Sequence, residues 1–219
     1  VNSMKKILIS IFALLFSSSM ALAAVNIGVS MSAGAFTASG TEDENGEKST
    51  EDATGAAAYG SIFFEKTLGE RFTLGIDYVP SSLDSETAET VVDDIKDKTE
   101  IVTTQNTNTI KASFEDLTTI YLNLNLSDSL YLKAGMAQVD VKTNETLATG
   151  SEYGDGDMDG TVFGLGYHNE FGNGMFIRFE GQYMDLGSLS LTSTTNSDNK
   201  VTLDNLTGAS GAIKIGKSF

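Results

Sequence analysis

Apolar and polar residues alternate with a period of two along most of the chain beyond residue 24. Phe72, Leu74, Ile76 and Tyr78 are apolar, whereas Thr73, Gly75 and Asp77 between them are polar or small. Ile120, Leu122, Leu124 and Leu126 alternate in the same way, as do Leu130, Leu132, Ala134 and Met136. Phe163, Leu165 and Tyr167, then Ile177 and Phe179, then Ile213 and Ile215 continue the rhythm. Each run is one face of a strand. Thr67-Leu68-Gly69-Glu70, Ser127-Asp128-Ser129 and Gly172-Asn173-Gly174 read as tight turns. Long polar segments, at about 40–54, 83–115, 142–160 and 188–205, alternate with them. The pattern predicts strands over roughly 25–37, 56–66, 71–82, 116–126, 130–141, 161–171, 175–186 and 206–219. Eight strands with short turns at one end and long loops at the other predict an all-β fold: an eight-stranded antiparallel up-and-down transmembrane β-barrel.

The two faces of these strands differ in a way that separates membrane from soluble β-proteins. With the aliphatic faces turned outward, Phe64, Phe72, Phe171 and Phe219 fall in outward register beside the short turns or the last residue. They form a candidate aromatic girdle at the periplasmic interface. The opposite faces carry Glu65, Asp77, Lys133, His168, Glu170, Arg178, Glu180, Gln182 and Lys214, with Gly75, Gly135, Gly164, Gly166, Gly208 and Gly216. A soluble core would bury aliphatics there; a narrow membrane barrel fills its lumen with small and mutually neutralising residues. Glu65, Asp77, Lys133, Glu170, Arg178, Glu180 and Lys214 are accordingly the candidate lumen ion-pair network.

Residues 4–23 read as an address. Met4, Lys5 and Lys6 precede an apolar run from Ile7 to Phe16 and a small-residue stretch ending Ala21-Leu22-Ala23, the three parts of a secretory signal peptide. The barrel domain is then 24–219. No later segment has the roughly 18 consecutive apolar residues of a membrane helix. A secreted barrel of this pattern belongs in the bacterial outer membrane.

Composition narrows the chemistry. Fourteen Lys plus Arg against 30 Asp plus Glu give a net charge of −16, the wrong sign for neutralising phosphates, so no nucleic-acid partner is expected. The absence of Cys excludes disulfides, thiolate metal sites and a thiol nucleophile.

The last strand, Ala212-Ile213-Lys214-Ile215-Gly216-Lys217-Ser218-Phe219, resembles the C-terminal signal by which outer-membrane barrels are recognised for assembly. Lys217 departs from the aromatic often found two residues before the final Phe. With Leu130-Tyr131-Leu132-Lys133-Ala134-Gly135-Met136 and Gly164-Leu165-Gly166-Tyr167, the chain is similar to the small OmpA-like, OmpX-like and opacity-type barrels of Gram-negative bacteria. That resemblance implies contact with the barrel assembly machinery through the strand ending at Phe219, and roles ranging over anchoring, adhesion, small pores and a few lipid enzymes.

Three further features bear on ligands and partners. Asp155, Asp157 and Asp159 match the opening of a calcium loop, but Gly166 stands where an EF-hand needs its bidentate Glu. They remain a candidate weak Ca²⁺ or Mg²⁺ site, with a solvated acidic turn as the alternative. Ser85 to Glu100 offers either a short amphipathic helix through Ala88, Val91, Val92 and Ile95 or a disordered segment. The acid-rich stretches Glu42 to Asp52 and Asp84 to Glu100 give extracellular loops whose carboxylates divalent cations can bridge to lipopolysaccharide phosphates; simple solvation is the alternative.

Catalysis is not expected. His168 invites comparison with outer-membrane lipid A deacylases, which pair a strand His with a Ser two residues on, but that position is Glu170. The functional expectation is a structural or surface-interacting outer-membrane barrel with a plugged polar lumen, in contact with outer-membrane lipid and lipopolysaccharide. The rival readings are a narrow porin-like channel for small solutes and a soluble periplasmic β-barrel carrying an apolar ligand.

Overall fold

The computed structural model describes residues 24–44, 47–85, 88–93, 105–146 and 152–219, together with Ser10. Apart from Ser10, the signal-peptide segment lies outside the described residues. The sheet contains β1 (Val25–Glu44), β2 (Glu47–Leu68), β3 (Phe72–Tyr78), β4 (Leu83–Asp84), β5 (Ala88–Asp93), β6 (Gln105–Asn125), β7 (Leu130–Thr146), β8 (Gly156–Glu170), β9 (Met175–Asp185), β10 (Leu189–Thr192) and β11 (Lys200–Ser218). β3, β4 and β5 follow one another along β6, and β9 and β10 follow one another along β11, so these strands make eight staves. All pairings are antiparallel, and β1 pairs with β11 from Asn26 opposite Ser218 to Asp43 opposite Lys200. That last pairing closes the sheet into an up-and-down barrel.

The expected short turns gather at one end. Gly69 (φ 67°) and Gly174 (φ 80°) supply the left-handed backbone that two of them need. In the third, Ser127 Oγ accepts hydrogen bonds from the Leu130 and Ser129 amides at 3.1 and 3.3 Å.

At the other end the structure corrects the sequence reading. Of residues 40–54, expected as a loop, 40–44 and 47–54 are paired strand: β1 and β2 stay in register up to Glu44 opposite Glu47. Much of 83–115 and 188–205 is likewise strand. Ala88–Asp93, the start of the segment read as helix or disorder, pairs with β6; residues 94–100 of that segment lie outside the described residues. Propensity is a weak prior, and an open β6 edge satisfies a backbone that a short isolated helix would leave marginal. The extensions have no apolar outer face, and only scattered inward side chains such as Leu83, Phe114, Leu189 and Leu203 pack on the core. Their cross-strand contacts are polar: Thr41 to Thr50 at 3.0 Å, Ser39 to Asp52 at 2.5 Å, Thr37 to Thr207 at 3.2 Å. Two register shifts mark where the extensions begin, one at Glu115/Thr118 and one at Thr37/Ser39. Asp116 and Asn205, both at φ 55°, sit in them; Asp and Asn tolerate that conformation better than other side-chain-bearing residues.

The wall is not paired throughout. β2 and β3 pair only from Ile62 opposite Tyr78 down to Leu68 opposite Phe72. Beyond Ile62, β2 pairs only with β1 among the described residues, because β4 and β5 hydrogen-bond to β6 instead. Pro80, which has no N–H, follows directly on the point where the Val79 amide bonds to the Leu117 carbonyl at 2.9 Å.

The outside of the turn half is an apolar band that includes Val29, Met31, Leu132, Phe163, Leu165 and Ile215, with Met31 74% exposed. The inside divides into two layers. Towards the turns it is polar and charged; towards the extensions it is an apolar core of Tyr59, Val79, Leu117, Val139, Val141, Met158, Val162, Met184, Leu186 and Leu206. Several inward glycines are seats for aromatic rings on the next strand: Gly75 under Tyr121, Gly166 under Tyr131, Gly216 under Phe176 and Gly28 under Phe63. A methyl group at any of them would occupy the volume of the ring.

Two predictions follow from this packing. Gly166→Ala should displace the Tyr131 ring and lower barrel stability by about 1–3 kcal/mol, read as an earlier unfolding midpoint in urea; an unchanged midpoint would mean that the ring moves freely. In the extension, the Lys111 ammonium 2.7 Å from Asp84, with the Ser113 and Ser82 hydroxyls, holds the Asp84 carboxyl down at about 2. Because the folded value is depressed, this contact is complete above the ordinary carboxylate range and is lost as pH falls through about 2. A carbon NMR titration should show that value in the wild type and a return towards about 4 in Lys111→Met.

Candidate functional site in the barrel lumen

Strand parity turns one side chain of every two inward, and register stacks those side chains at common heights. Lys214 lies opposite Arg178, Arg178 opposite His168, and Glu65 opposite Gly75. Lys133 and Glu180 face glycines, Gly164 and Gly166, on the neighbouring strand, which leaves room for their side chains to cross the lumen.

Glu65 is the centre of this layer and has no exposed surface. Arg178 Nη1 donates to its Oε1 at 2.6 Å, and the Tyr121 hydroxyl donates to the same oxygen at 2.8 Å. Asn26 donates to Oε2 at 3.0 Å, and Asn123 to Oε1 at 3.5 Å. A second cluster lies beside it. Lys133 donates to Glu180 at 2.9 Å and to Gln182 at 3.4 Å, while Lys214 bridges Asp77 at 2.8 Å and Glu180 at 3.4 Å. Three cations therefore meet three carboxylates, all deeply buried apart from the slightly exposed Asp77. Tyr121 joins the clusters: besides its bond to Glu65, its ring lies 4.2 Å from the Lys133 ammonium and 5.3 Å from that of Lys214. Arg178 rests over Phe176 at 4.4 Å and Tyr131 at 5.5 Å, and its Nε–H donates to His168 Nδ1 at 2.9 Å.

Glu170, expected within this network, stands apart from it. As the last residue of β8 it sits at the mouth, with its carboxylate 56% exposed and 3.8 Å from His168 Nε2. The aromatic rings of the lumen were not read as site residues from the sequence. Their signal was available, since Phe63, Tyr121, Tyr131 and Phe176 occupy inward positions across from the inward glycines.

Phe72, Phe171 and Phe219 are exposed on the outside near the turn end, and Phe64 is half-buried. Asp155 precedes β8, while Asp157 and Asp159 lie within it, opposite Asp140 and Gln138. An extended strand sets alternate residues about 7 Å apart instead of wrapping them round a point. Among the described residues no group of three or more Asp, Glu, His or Cys side chains forms a metal-binding cluster.

Two cavities lie on either side of the charged layer. The larger, about 620 Å³, opens at the turn end and reaches Arg178, Asn123 and Tyr131. The smaller, about 20 Å³, lies between Ser32, Ser61, Lys133 and Lys214 beneath the apolar core. Phe63, Glu65, Tyr121 and Glu180 line neither cavity and stand between the two.

A closed antiparallel barrel with an apolar outer band and a charged interior is a β-barrel membrane protein. The family model described as "Outer membrane protein beta-barrel domain" matches residues 9–210, and the chain belongs to that family. It is a protein of the bacterial outer membrane, which sets aside the soluble periplasmic reading and assigns the turn end to the periplasm. Among solved structures it is similar to the outer membrane protein OprG from Pseudomonas aeruginosa, at 13% identity over 88% of this chain and 95% of that one, with a TM-score of 0.56. It is also similar to the outer membrane protease OmpT from Escherichia coli (10% identity, 90% and 97% covered, TM-score 0.45) and to Neisserial surface protein A (9%, 90% and 99%, 0.41). No curated protein matches the sequence.

Removing one partner of the buried pair leaves the other charge uncompensated. Arg178→Ala should therefore cost about 3–5 kcal/mol, whereas Glu65→Gln combined with Arg178→Met should cost less than the sum of the two single changes. Urea unfolding in detergent, followed by the gel mobility of unheated samples, checks both; additive losses would show that the two side chains do not act as a pair.

Proposed function

We propose that this barrel is a closed-lumen outer-membrane protein whose role is structural or surface-interacting. The observation that carries the reading is the charged layer between the two cavities. Its ion pairs, hydrogen bonds and ring contacts cross the lumen from β2, β3, β6, β7, β9 and β11, and the apolar core above it gives water and ions no polar route. An ion passing through would have to part buried pairs and then cross an apolar layer, and each step is costly. The lumen network is thus the internal stabiliser of the barrel. Phe64, Phe72, Phe171 and Phe219 serve as its periplasmic aromatic girdle, and the strand ending at Phe219 serves as the contact for the barrel assembly machinery.

Surface interaction falls to the extensions. On β6, β7 and β8, Glu115, Asp140 and Asp157 stand directly opposite one another just beyond the apolar band, at the level of the outer-leaflet head groups. Lys142 pairs with Glu115 at 2.6 Å, so Ca²⁺ or Mg²⁺ shared with lipopolysaccharide phosphates would draw on the acidic surface as a whole. No catalysis is assigned: His168, the chain's sole histidine, is engaged by Arg178, with no serine two residues on.

A narrow channel is the second reading, favoured by the 620 Å³ vestibule that already penetrates as far as Arg178. Planar-bilayer recording separates the two. The closed-lumen reading expects a heat-modifiable barrel with no discrete conductance steps, and steps emerging in Arg178→Ala. Reproducible steps in the wild type would make the channel reading primary.

A further inference from the structure

From Ser61 back to Glu47, β2 is paired on one side alone. Its partner there, among the described residues, is β1, because β4 and β5 hydrogen-bond to β6. Residues of an antiparallel strand turn N–H and C=O to alternate sides, so every second residue of this stretch offers both groups to the open side. Native sheets blunt such an edge by keeping it short or by interrupting it with Pro, Lys or a bulge. Here the register with β1 runs without a shift from Val25 opposite Lys66 to Glu44 opposite Glu47. Residues 47–61 contain no Pro, and their one Lys, Lys48, sits near the tip, 3.7 Å from Asp43. Between these ends, Ala53, Thr54, Gly55 and Ala56 are exposed in succession, so both faces of the strand are open as well as its edge.

The side chains along the edge set the chemistry of what fits it. An open strand edge accepts an extended backbone, which gains main-chain hydrogen bonds while its alternate side chains give specificity. Beside Ala53–Ala58 the neighbouring side chains are small, which leaves room on either face for the β-branched residues that favour strands. Towards the tip, Glu51 and Asp52 are exposed on opposite faces, and Glu42 and Asp43 lie on the paired strand. Lys48 is the one cation among these four carboxylates. Two consecutive basic residues, one over each face, complement that end. A second copy of this chain does not: barrels inserted in one membrane with the same orientation carry β2 in the same direction, which bars antiparallel pairing between their edges.

We propose that the open edge of β2, Glu47–Ser61, binds an extended segment of another protein at the cell surface by antiparallel strand addition, with β-branched residues of the segment beside Ala53–Ala58 and two consecutive basic residues beside Asp52 and Glu51. This gives a partner class to the surface-interacting part of the proposed function and rests on that part. It does not depend on whether the lumen conducts.

The test uses the barrel folded in detergent micelles. The probe is an octapeptide of alternating valine and threonine that ends in two lysines, followed by fluorescence anisotropy and by amide hydrogen exchange of β2. In the free barrel every second amide from Ala53 to Ala58 should exchange quickly, and saturating peptide should slow those amides about ten-fold, the worth of one hydrogen bond. The same peptide with its valine and threonine amides N-methylated should not bind. Glu51→Gln should weaken binding about three-fold and flatten its salt dependence. Neighbouring residues turn their N–H groups to opposite sides, so one of Ala53→Pro and Thr54→Pro removes an open-edge N–H and spares the pairing with β1. That variant should keep the gel mobility of the unheated barrel and weaken binding about ten-fold. The proposal is overturned by an absence of saturable binding, by equal binding of the N-methylated peptide, by binding that both proline variants leave unchanged, or by β2 edge amides already protected in the free barrel. A failure here beside a barrel without conductance steps would remove this partner and leave the closed lumen standing.

Discussion

Glu65 is a carboxylate with no exposed surface inside a barrel that itself lies in a membrane. With no surface open to solvent, its negative charge must be met by protein donors. Arg178, Tyr121, Asn26 and Asn123 meet it, from three different strands. Much else follows from that requirement. Arg178 must reach across the lumen, so Phe176 and Tyr131 pack against its guanidinium and His168 accepts its Nε–H. Tyr121 must lie flat across the floor of the barrel, so β3 has a glycine, Gly75, beneath its ring. Ionic and steric needs are met by the same residues, which ties the closure of the wall to the filling of the lumen.

The fold of the turn half was legible in the sequence because lipid imposes an inverted alternation there. Aliphatics outward and charges inward is a pattern that a soluble sandwich has no reason to adopt, and it located the eight staves and the three turns, with Glu65, Asp77, Lys133, Arg178, Glu180 and Lys214 on the inner face. Parity gives direction but not depth: Glu170 points along the inner face yet sits at the mouth, 3.8 Å from His168. The extensions were illegible for the opposite reason. Outside the band neither face has to be apolar, so Thr41 opposite Thr50 and Ser39 opposite Asp52 read as loop although they are paired strand. The inward apolar layer of Val139, Val141, Met158 and Met184 went unnoticed on the same account, since most of it comes from the ends of strands and from segments assigned to loops. The signal-peptide reading lies outside the described residues.

The interior thus changes character with height. An open polar vestibule faces the periplasm, a layer of compensated charges follows, and an apolar core begins at the height of Val162 and Phe163 and continues towards the extensions. Such an order keeps polar side chains where water can reach them or where partners replace water. It also places most of the singly paired edge of β2, from Tyr59 back towards Glu47, beyond the apolar band, where open backbone groups can be hydrated.

The central claim is that the layer around Glu65 closes the lumen. Because the chain has no cysteine, single-cysteine variants report from one position alone. Thr73→Cys would place a thiol in the periplasmic vestibule and Ser61→Cys a thiol on the far side of the charged layer. With a small water-soluble methanethiosulfonate supplied only at the periplasmic mouth of barrels oriented in vesicles, the thiol at position 73 should be modified quickly. The thiol at position 61 should stay unmodified until Arg178→Ala is added. Comparable rates at both positions in the otherwise unaltered barrel would contradict a closed lumen.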